Sequence, residues 1–483
     1  MNLYTVNHGF HYELENLTRA FFVNEKITVT RFDTAVSDLQ SPFILTEMTE
    51  DELKVQVQID DFQKTLTSPF GDDNELIMAT LLYNLLCEYT GINLKWGLLT
   101  GVRPIKLLRR LKESMGEKGA VDYFENTLLV SDEKSKLAQV TCVNEQKILD
   151  ITSPESFSLY VSIPFCPSRC SYCSFVSQSV EKARHLIPEY VRLLCKEIEL
   201  TAQIVKQQGL KLETVYIGGG TPTSLEAQDL SLIMNTINDN FDMTTCREFT
   251  VEAGRPDTIT EEKLVALKEG GCDRLSVNPQ TLSDSVLENI GRRHTVQDFY
   301  DSFHLARKVG FTHINTDLIA GLPGDNPSSF LDTMSGICKL DPESVTVHTL
   351  SMKRSSHLTG SNLKLMREDA NAVAAMLENG YSQLEACGFA PYYLYRQSKM
   401  VGNMENTGWS KPGFEGIYNV YIMDETHTIL ACGAGAVTKL RDPYSDCIER
   451  IFNFKYPYEY NARFEELMER KDAIGSFYSD LLT

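Results

Sequence analysis

An alternation of short strand-like runs with helical stretches constrains the fold of this chain more than any other sequence feature. Six runs rich in β-branched residues predict strands, at 159–163, 214–217, 248–252, 274–278, 313–319 and 344–350. The stretches between them carry helix signals, such as Pro188 near the start of one helix and Thr260 as the N-cap of another. Strands that alternate with helices form a parallel sheet, which right-handed crossovers curl into a barrel. Six units predict an α/β fold built on a partial (β/α)6 barrel of the TIM type.

The residues before this barrel predict an added α/β domain. They contain a strand-like alternation at 21–32, a helical stretch at 74–91, a turn at 101–104 that leads into a basic helix, and a polar helix at 131–148. A short linker is expected at 152–156, where turn-forming residues cluster.

The alternation stops after about residue 395, which predicts a C-terminal α+β extension. Residues 418–436 are interpreted as a β-hairpin with Asp424 and Glu425 near its turn. We therefore expect three domains: an N-terminal α/β accessory domain at 1–150, the barrel at 155–395, and a C-terminal domain at 396–483 that covers the active site.

The charge balance limits the partners of the protein. The 483 residues carry 46 Lys and Arg against 66 Asp and Glu, a net charge of −20. Such an acidic surface repels phosphates, so we expect no nucleic-acid partner. No apolar run reaches the ~20 residues that cross a bilayer, and the N-terminus lacks the basic start and apolar core of a signal peptide. A cytoplasmic protein without a membrane span is the expectation.

Three of the twelve cysteines form a motif with chemical meaning. Cys166, Cys170 and Cys173 give the spacing C-x3-C-x2-C directly after the first barrel strand. Soft thiolates at this spacing can hold three corners of a [4Fe–4S] cluster and leave one iron open. Zinc and inert thiols are the alternatives, although a structural zinc site closes with a fourth ligand and the nearest histidine, His185, is a dozen residues on. The other nine cysteines are scattered singly and are interpreted as small buried hydrophobes.

Polar or glycine-rich segments follow each of the next four strands. Gly218, Gly219, Gly220 and Thr221 come after the second strand and could let the backbone approach a ligand, although a tight turn explains them equally well. Three polar side chains, Glu252, Gln280 and Asp317, lie at or just after the ends of the third, fourth and fifth strands. Each alone could be a hydrogen-bonded structural group. Because parallel strands end at one edge, together they predict a single pocket above the cysteine motif.

A resemblance to a known family rests on five segments that occur in order. They are LYVSIPFCPSRCSYCSF, YIGGGTPT, VEAGRPD, RLSVNPQTLSDSVLENIGRRH and NTDLIAGLPG. Over about 159–350 the chain resembles the radical SAM (S-adenosylmethionine) oxygen-independent coproporphyrinogen III oxidases. The flanking segments WGLLTGVRPIK and GNMENTGWSKPGFEGIYNVYIM are similar to the HemZ branch, so the resemblance covers most of the chain.

The resemblance implies an oxidoreductase of porphyrin and haem biosynthesis. In this family the three cysteines bind a [4Fe–4S] cluster, and SAM chelates the open iron. One electron from a reductant such as flavodoxin or ferredoxin cleaves SAM to a 5′-deoxyadenosyl radical. The radical removes hydrogen from a propionate of coproporphyrinogen III, and loss of CO2 and an electron leaves a vinyl group. Two rounds give protoporphyrinogen IX. A tetrapyrrole substrate and a monomeric protein are implied, and no catalytic side chain is assigned because the SAM-derived radical does the chemistry.

The family's contacts with SAM, one molecule or two, carry over to matching positions. Those that would contact the first SAM are Tyr160, Tyr172, Gly219 and Glu252. Those that would surround a second SAM are Gly220, Thr221, Gln280, Arg292, Asp317 and Thr349. Two positions depart from the family: Phe175 stands where the best-known dehydrogenases have a further cysteine, and Thr349 stands where alanine is usual. Haem chaperone relatives also lack that cysteine. A haem chaperone, or a radical SAM enzyme that acts on another tetrapyrrole, is therefore the alternative function.

Overall fold

The structure is a computed structural model that describes most of the chain. It leaves out residues 24, 35, 37, 174–176, 352–362, 398 and 482–483, and the side chains of 363–367, 480 and 481. The chain divides into two compact units. The first unit consists of residues 1–142, 349–379 and 394–406, and the second of 143–348, 380–393 and 407–483. The expected division at 1–150, 155–395 and 396–483 remains a prediction about separate domains.

The described residues form the following strands and α-helices. The strands are β1 (Asn2–Val6), β2 (Thr28–Phe32), β3 (Phe43–Met48), β4 (Glu52–Ile59), β5 (Phe62–Pro69), β6 (Ser156–Ile163), β7 (Phe165–Cys166), β8 (Gln178–Ser179), β9 (Lys211–Gly219), β10 (Glu248–Glu252), β11 (Arg274–Ser276), β12 (Ile314–Ala320), β13 (Ser344–Thr349), β14 (Ala390–Tyr395), β15 (Asn406–Ser410), β16 (Thr428–Cys432), β17 (Val437–Arg441) and β18 (Ile448–Phe452). The α-helices are α1 (His11–Phe21), α2 (Asn74–Thr90), α3 (Pro104–Asp122), α4 (Asp132–Leu149), α5 (Val180–Ala183), α6 (Ile187–Gln208), α7 (Ala227–Asn240), α8 (Glu261–Glu269), α9 (Asp284–Asn289), α10 (Val296–Val309), α11 (Pro327–Leu340), α12 (Leu363–Ala386), α13 (Ile417–Asp424), α14 (Pro457–Ala462) and α15 (Phe464–Leu481).

The first unit contains a five-stranded mixed sheet in the order β2-β1-β3-β4-β5. β1 is parallel to β2 and β3, and β4 is antiparallel to both of its neighbours. Alternate residues of β4 are buried, and they pack in one core with α1 and α2. The predicted helix at 74–91 is confirmed: Asp73 caps α2, and Gly91 ends it in the left-handed conformation. The strand expected at 21–32 is only half right, because Phe21 is the last residue of α1.

The second unit is built on a sheet of eleven strands in the order β14-β15-β13-β12-β11-β10-β9-β6-β16-β17-β18. All six predicted barrel strands are present as β6 and β9 to β13, and they are neighbours in chain order. β6, β9, β10, β11 and β12 run parallel, and helices α6, α7, α8, α10 and α11 lie along the chain between consecutive strands. The α/β class and the partial barrel are therefore confirmed, and the strand ends that should carry chemistry share one edge.

The predicted hairpin at 418–436 is wrong. Its first half is the helix α13, and its second half is β16, which pairs parallel to β6 and antiparallel to β17. The Glu248 carboxylate accepts hydrogen bonds from the backbone N–H groups of Ile417 and Tyr418, so it caps the helix from outside the segment. A short buried apolar run has the same pattern in a helix and in a strand, and here a residue 170 positions away decides between them.

No α-helix within the described ranges is both long enough and apolar enough to cross a membrane.

Candidate active site

The cysteine motif lies on the loop that follows β6. Cys166 is on the short strand β7, which pairs with β8, and the backbone N–H of Cys173 donates to the carbonyl of Cys170 at 3.2 Å. Cys170 is buried, whereas Cys166 and Cys173 are partly exposed. Because β6 is a strand of the parallel sheet, the loop begins at its carboxyl end, as predicted. Phe175, where this chain departs from the family pattern, lies outside the described residues.

The residue types of the cysteine motif fit an iron–sulfur cluster. Across the described part of the chain, no three His, Cys, Asp or Glu side chains converge closely enough to hold one metal ion. In a cubane cluster each thiolate binds a different iron, so the three cysteine sulfurs need not converge on a single metal ion. The cysteine loop supplies three soft sulfur ligands, two of them partly exposed and one buried.

The glycines after β9 lie against the start of the cysteine loop. The N–H of Gly220 donates to the carbonyl of Ile163 at 2.8 Å, and the N–H of Thr221 donates to the carbonyl of Phe165 at 2.7 Å. A Cβ atom at Gly220 would stand 2.6 Å from the Phe165 carbonyl oxygen. Gly219 has a φ of +109°, which disfavours any other residue. The glycines are therefore required by the close approach of the end of β9 to the end of β6 and the start of the cysteine loop.

A carboxylate and an aromatic stack stand at the ends of β9 and β10. Tyr216 donates a hydrogen bond of 2.5 Å to Glu252 Oε1. Loss of hydration raises the pKa of the Glu252 carboxyl to about 7, and the nearby charge of Asp317 adds to the shift. Tyr216 also stacks on Tyr418 with 4.5 Å between ring centroids, and the Tyr160 ring lies beside this pair, 6.2 Å from each centroid. This arrangement offers a flat apolar surface beside a carboxyl group.

A second polar cluster lies on β12 and just after β11. Asp317 accepts a hydrogen bond of 2.7 Å from Asn315, and its backbone N–H donates to Asn278 Oδ1 at 3.2 Å. Its Oδ2 lies 3.8 Å from His348 Nε2. Burial alone would raise the pKa of Asp317, but the interactions with His348 and Asn315 hold that pKa below its usual value. Asp317 is therefore an ionised carboxylate of the site.

Gln280 is the strongest structural sign of a ligand. It is 6% exposed and adopts a positive φ of 70°. Its side-chain oxygen Oε1 is buried and has no hydrogen-bond partner among the described residues. Its backbone N–H donates to the carbonyl of Asp317 at 3.0 Å, so the residue belongs to the second polar cluster. An unpaired buried oxygen costs free energy unless a ligand or water donates to it.

Arg292 joins the cysteine loop to the strand ends. Its guanidinium donates to the carbonyls of Gly254 and Asn278 at 3.2 and 2.7 Å, and to the Tyr172 hydroxyl at 3.2 and 3.0 Å. Tyr172 lies between two of the motif cysteines. Arg292 and Tyr172, which the resemblance assigns to different SAM molecules, are thus in direct contact.

Nine of the ten expected SAM contacts lie in the second unit. Tyr160 is on β6, Tyr172 on the cysteine loop, Gly219, Gly220 and Thr221 at the end of β9, Glu252 at the end of β10 and Asp317 on β12, whereas Gln280 and Arg292 lie between β11 and β12 on either side of α9. The tenth, Thr349, belongs to the first unit. There its hydroxyl donates to the Glu405 carbonyl at 2.7 Å, and its N–H donates to Asn406 Oδ1 at 2.9 Å.

The loop after β16 is a part of the site region that the sequence interpretation missed. Ser162, near the end of β6, donates to the carbonyl of Ala434 at 2.8 Å, and Tyr190 bridges the two segments through Ser162 O and Ala434 N. A Cβ atom at Gly433, where φ is +96°, would stand 2.5 Å from the Ser162 carbonyl oxygen. The sequence signal for this loop is the pair of glycines in CGAGA, which follows an apolar run. Because the hairpin interpretation pairs that run with the segment before it, it does not predict that the run forms β16 and pairs parallel to β6.

Comparisons with known proteins agree with this architecture. Residues 160–336 match the Radical SAM superfamily. The chain is 39% identical over 443 residues to the oxygen-independent coproporphyrinogen-III oxidase-like protein HemZ of Bacillus subtilis, covering 91% of this chain and 85% of that protein. It is 32% identical over 329 residues to the heme chaperone HemW of Bacillus subtilis, covering 66% of this chain and 82% of that protein.

A solved structure shows the same fold. The coproporphyrinogen III oxidase HemN from Escherichia coli, a radical SAM enzyme, superposes with a TM-score of 0.50 at 22% identity, over 67% of this chain and 72% of that one. Radical SAM proteins use a [4Fe–4S] cluster and SAM, and these are the cofactors of this protein. The extent of the match to HemZ decides the family: the chain belongs to the oxygen-independent coproporphyrinogen-III oxidase-like family of radical SAM proteins, in its HemZ branch.

Proposed function

We propose that this protein catalyses the oxidative decarboxylation of two propionates of coproporphyrinogen III to vinyl groups, which gives protoporphyrinogen IX for porphyrin and haem biosynthesis. The observation that carries the proposal is the group of polar side chains Gln280, Asp317 and Arg292, of which Arg292 also contacts Tyr172 on the cysteine loop, in a chain that is similar to HemZ over 91% of its length. An unpaired amide oxygen, a carboxylate and a guanidinium together suit a ligand that carries both charges, as SAM does.

The cysteine loop and the strand ends would divide the work of binding. Cys166, Cys170 and Cys173 would hold the cluster, whose open iron would take the amino and carboxylate groups of SAM. Together the bound cluster and SAM supply a radical able to remove a hydrogen atom from an unactivated carbon. The protein's own task is to hold the reacting groups in place and to exclude water and other hydrogen donors.

The side chains at the strand ends would orient SAM. The Tyr160 and Tyr216 rings offer a face for adenine, and Glu252 can accept hydrogen bonds from ribose hydroxyls or an ammonium group. Gly219 and Gly220 would allow the ligand to lie on the backbone. Tyr172 would contact this first SAM from the cysteine loop, next to Arg292.

A second SAM is part of the proposal. Its contacts would be Gly220, Thr221, Gln280, Arg292, Asp317 and Thr349. Gln280 Oε1, which lacks a donor, supports a ligand on this side of the site. A second SAM would also account for two radical-dependent rounds, one for each propionate.

The atoms and electrons lost in each round follow from the chemical structure of the substrate. A propionate loses a hydrogen atom from the methylene attached to the ring, then CO2 from its end and one electron, and a vinyl group remains. The protein would therefore need a one-electron donor such as flavodoxin or ferredoxin and a separate electron acceptor. A cytoplasmic monomer is the form we propose.

The competing function is haem trafficking. The similarity to HemW over 66% of the chain favours it, because that relative is named a heme chaperone. A radical SAM enzyme that acts on another tetrapyrrole is the third candidate.

One anaerobic experiment separates these functions. Reconstituted protein is incubated with SAM, reductant, an electron acceptor and coproporphyrinogen III, and products are followed by mass spectrometry. Loss of two CO2 with matching 5′-deoxyadenosine supports the proposal. SAM cleavage without decarboxylation, where a known dehydrogenase works, points to another tetrapyrrole. Stoichiometric haem binding without SAM cleavage points to trafficking. A Cys170→Ser variant serves as the blank.

A further inference from the structure

Arg255 contacts the sulfur of one proposed cluster ligand. It lies three residues after the end of β10 and is 3% exposed. Its NH1 donates to Cys170 Sγ across 3.6 Å. A buried guanidinium is always charged, so a fixed positive group stands beside this sulfur.

The same guanidinium is held by hydrogen bonds on one side and by an ion pair on the other. Its terminal nitrogens donate to the Ser168 hydroxyl at 3.2 and 3.3 Å and to the Ser168 carbonyl at 3.4 Å, so it also anchors the cysteine loop. On its other side Asp257 forms a two-pronged ion pair, Nε to Oδ1 at 3.0 Å and NH2 to Oδ2 at 3.1 Å. Arg255 therefore lies between the carboxylate and the thiolate and cannot turn away from either.

Charge near an iron–sulfur cluster changes its reduction potential. A [4Fe–4S] cluster with three thiolates gains one negative charge on reduction, so a positive group or a hydrogen bond to sulfur stabilises the reduced form and makes the potential less negative. A nearby carboxylate acts in the opposite direction. In this ion pair the positive end is the one that touches the sulfur, so its effect is the larger.

We propose that the Arg255–Asp257 ion pair sets the reduction potential of the cluster, with Arg255 making it less negative and Asp257 making it more negative. Arg255 is thus a positioning residue that acts through Cys170 and Ser168. The inference rests on the proposed assignment of Cys166, Cys170 and Cys173 as cluster ligands.

Two variants with opposite expected effects test it. Arg255→Gln and Asp257→Asn are prepared in the full chain and reconstituted anaerobically. Iron and sulfide are counted, and the midpoint potential is measured by EPR-monitored redox titration. We expect a more negative potential for Arg255→Gln and a less negative one for Asp257→Asn. Arg255→Lys, which keeps the charge, should lie between Arg255→Gln and the wild type.

A matched control is the ion pair of Arg307 and Glu343, which are 2.9 Å apart. Glu343 also accepts from the N–H of Ile314, so this pair stands at the amino ends of β12 and β13, away from the cysteine loop. Arg307→Gln should leave the potential unchanged.

The outcomes are distinguishable. A wild-type protein that binds no cluster refutes the ligand assignment. A full cluster with potentials that do not move, or that move in the same direction in both charge variants, overturns the role of the ion pair. If Arg255→Gln cannot hold a cluster, Asp257→Asn and Arg255→Lys decide, and a potential for Asp257→Asn that is not less negative than wild type overturns the inference.

Discussion

The Tyr216 hydroxyl donates a 2.5 Å hydrogen bond to Glu252, a carboxyl group whose pKa is raised to about 7 by loss of hydration. Tyr216 lies on β9, and Glu252 is the last residue of the adjacent strand β10. A carboxyl group near half ionisation at neutral pH can respond to the arrival of a ligand, because a cationic or hydroxyl-bearing partner stabilises its ionised form.

This relationship predicts how SAM binding depends on pH. Because Glu252 accepts hydrogen bonds best when ionised, affinity for SAM should rise as pH increases through about 7. Glu252→Gln should remove most of this dependence and weaken binding by about tenfold, the ~1.4 kcal/mol typical of one charge-assisted hydrogen bond. Anaerobic equilibrium dialysis with labelled SAM between pH 6 and 8 measures the affinity for SAM and its dependence on pH. Equal slopes for wild type and variant would contradict the role given to Glu252.

Gln280→Ala should weaken ligand binding without destabilising the empty protein. Its Oε1 makes no hydrogen bond among the described residues, so removing it breaks no internal contact of that atom. We expect SAM binding to weaken by about threefold to tenfold, one ordinary hydrogen bond. Gln297→Ala, on the exposed side of α10 where the amide bonds to Asp301, is the matched control. A large fall in melting temperature with unchanged binding would make Gln280 a structural residue.

Gly220→Ala should disturb the cysteine loop directly. The new Cβ would lie 2.6 Å from the Phe165 carbonyl oxygen, next to Cys166, and backbone must move to relieve the clash. We expect a loss of about 1–3 kcal/mol of stability, as for other overpacked sites, together with reduced iron content. Gly101→Ala, where no atom lies within 4 Å of the added carbon, is the control. Chemical unfolding and iron analysis give the two readouts, and a stable Gly220→Ala protein with a full cluster would refute the close packing of Gly220 against the cysteine loop.

Cys170→Ser should abolish the cluster and SAM cleavage, because a hydroxyl is a poor ligand for iron–sulfur clusters. The visible absorbance of the reconstituted protein and the yield of 5′-deoxyadenosine measure the two losses. Cys447→Ser, at an exposed cysteine outside the motif, should match the wild type. Retained cleavage in Cys170→Ser would show that the metal site is elsewhere.

The barrel could be predicted because its signals are local. Each strand is a short run rich in β-branched residues, and the cysteine spacing can be recognised without any knowledge of the fold. The ends of parallel strands then place Glu252, Gln280 and Asp317 at one edge without further information. The structure confirms that shared edge.

Features that depend on distant residues could not be predicted in this way. Helix α13 is capped by Glu248, and only the packed structure reveals that contact. Arg255 looks like an ordinary charged residue in VEAGRPD, yet it contacts Cys170. The nine scattered cysteines are only partly as expected: four are buried, three are partly exposed, and Cys387 and Cys447 are exposed. The sequence does not tell which face of the fold a lone cysteine joins.

The most direct test of the central claim follows the hydrogen atom. Coproporphyrinogen III deuterated at the propionate methylenes attached to the rings is incubated anaerobically with reconstituted protein, SAM, reductant and an electron acceptor. We predict that deuterium appears in 5′-deoxyadenosine in step with the loss of two CO2 per tetrapyrrole. Unlabelled 5′-deoxyadenosine with an intact tetracarboxylate, under conditions where a known dehydrogenase transfers the label, would contradict the proposed function.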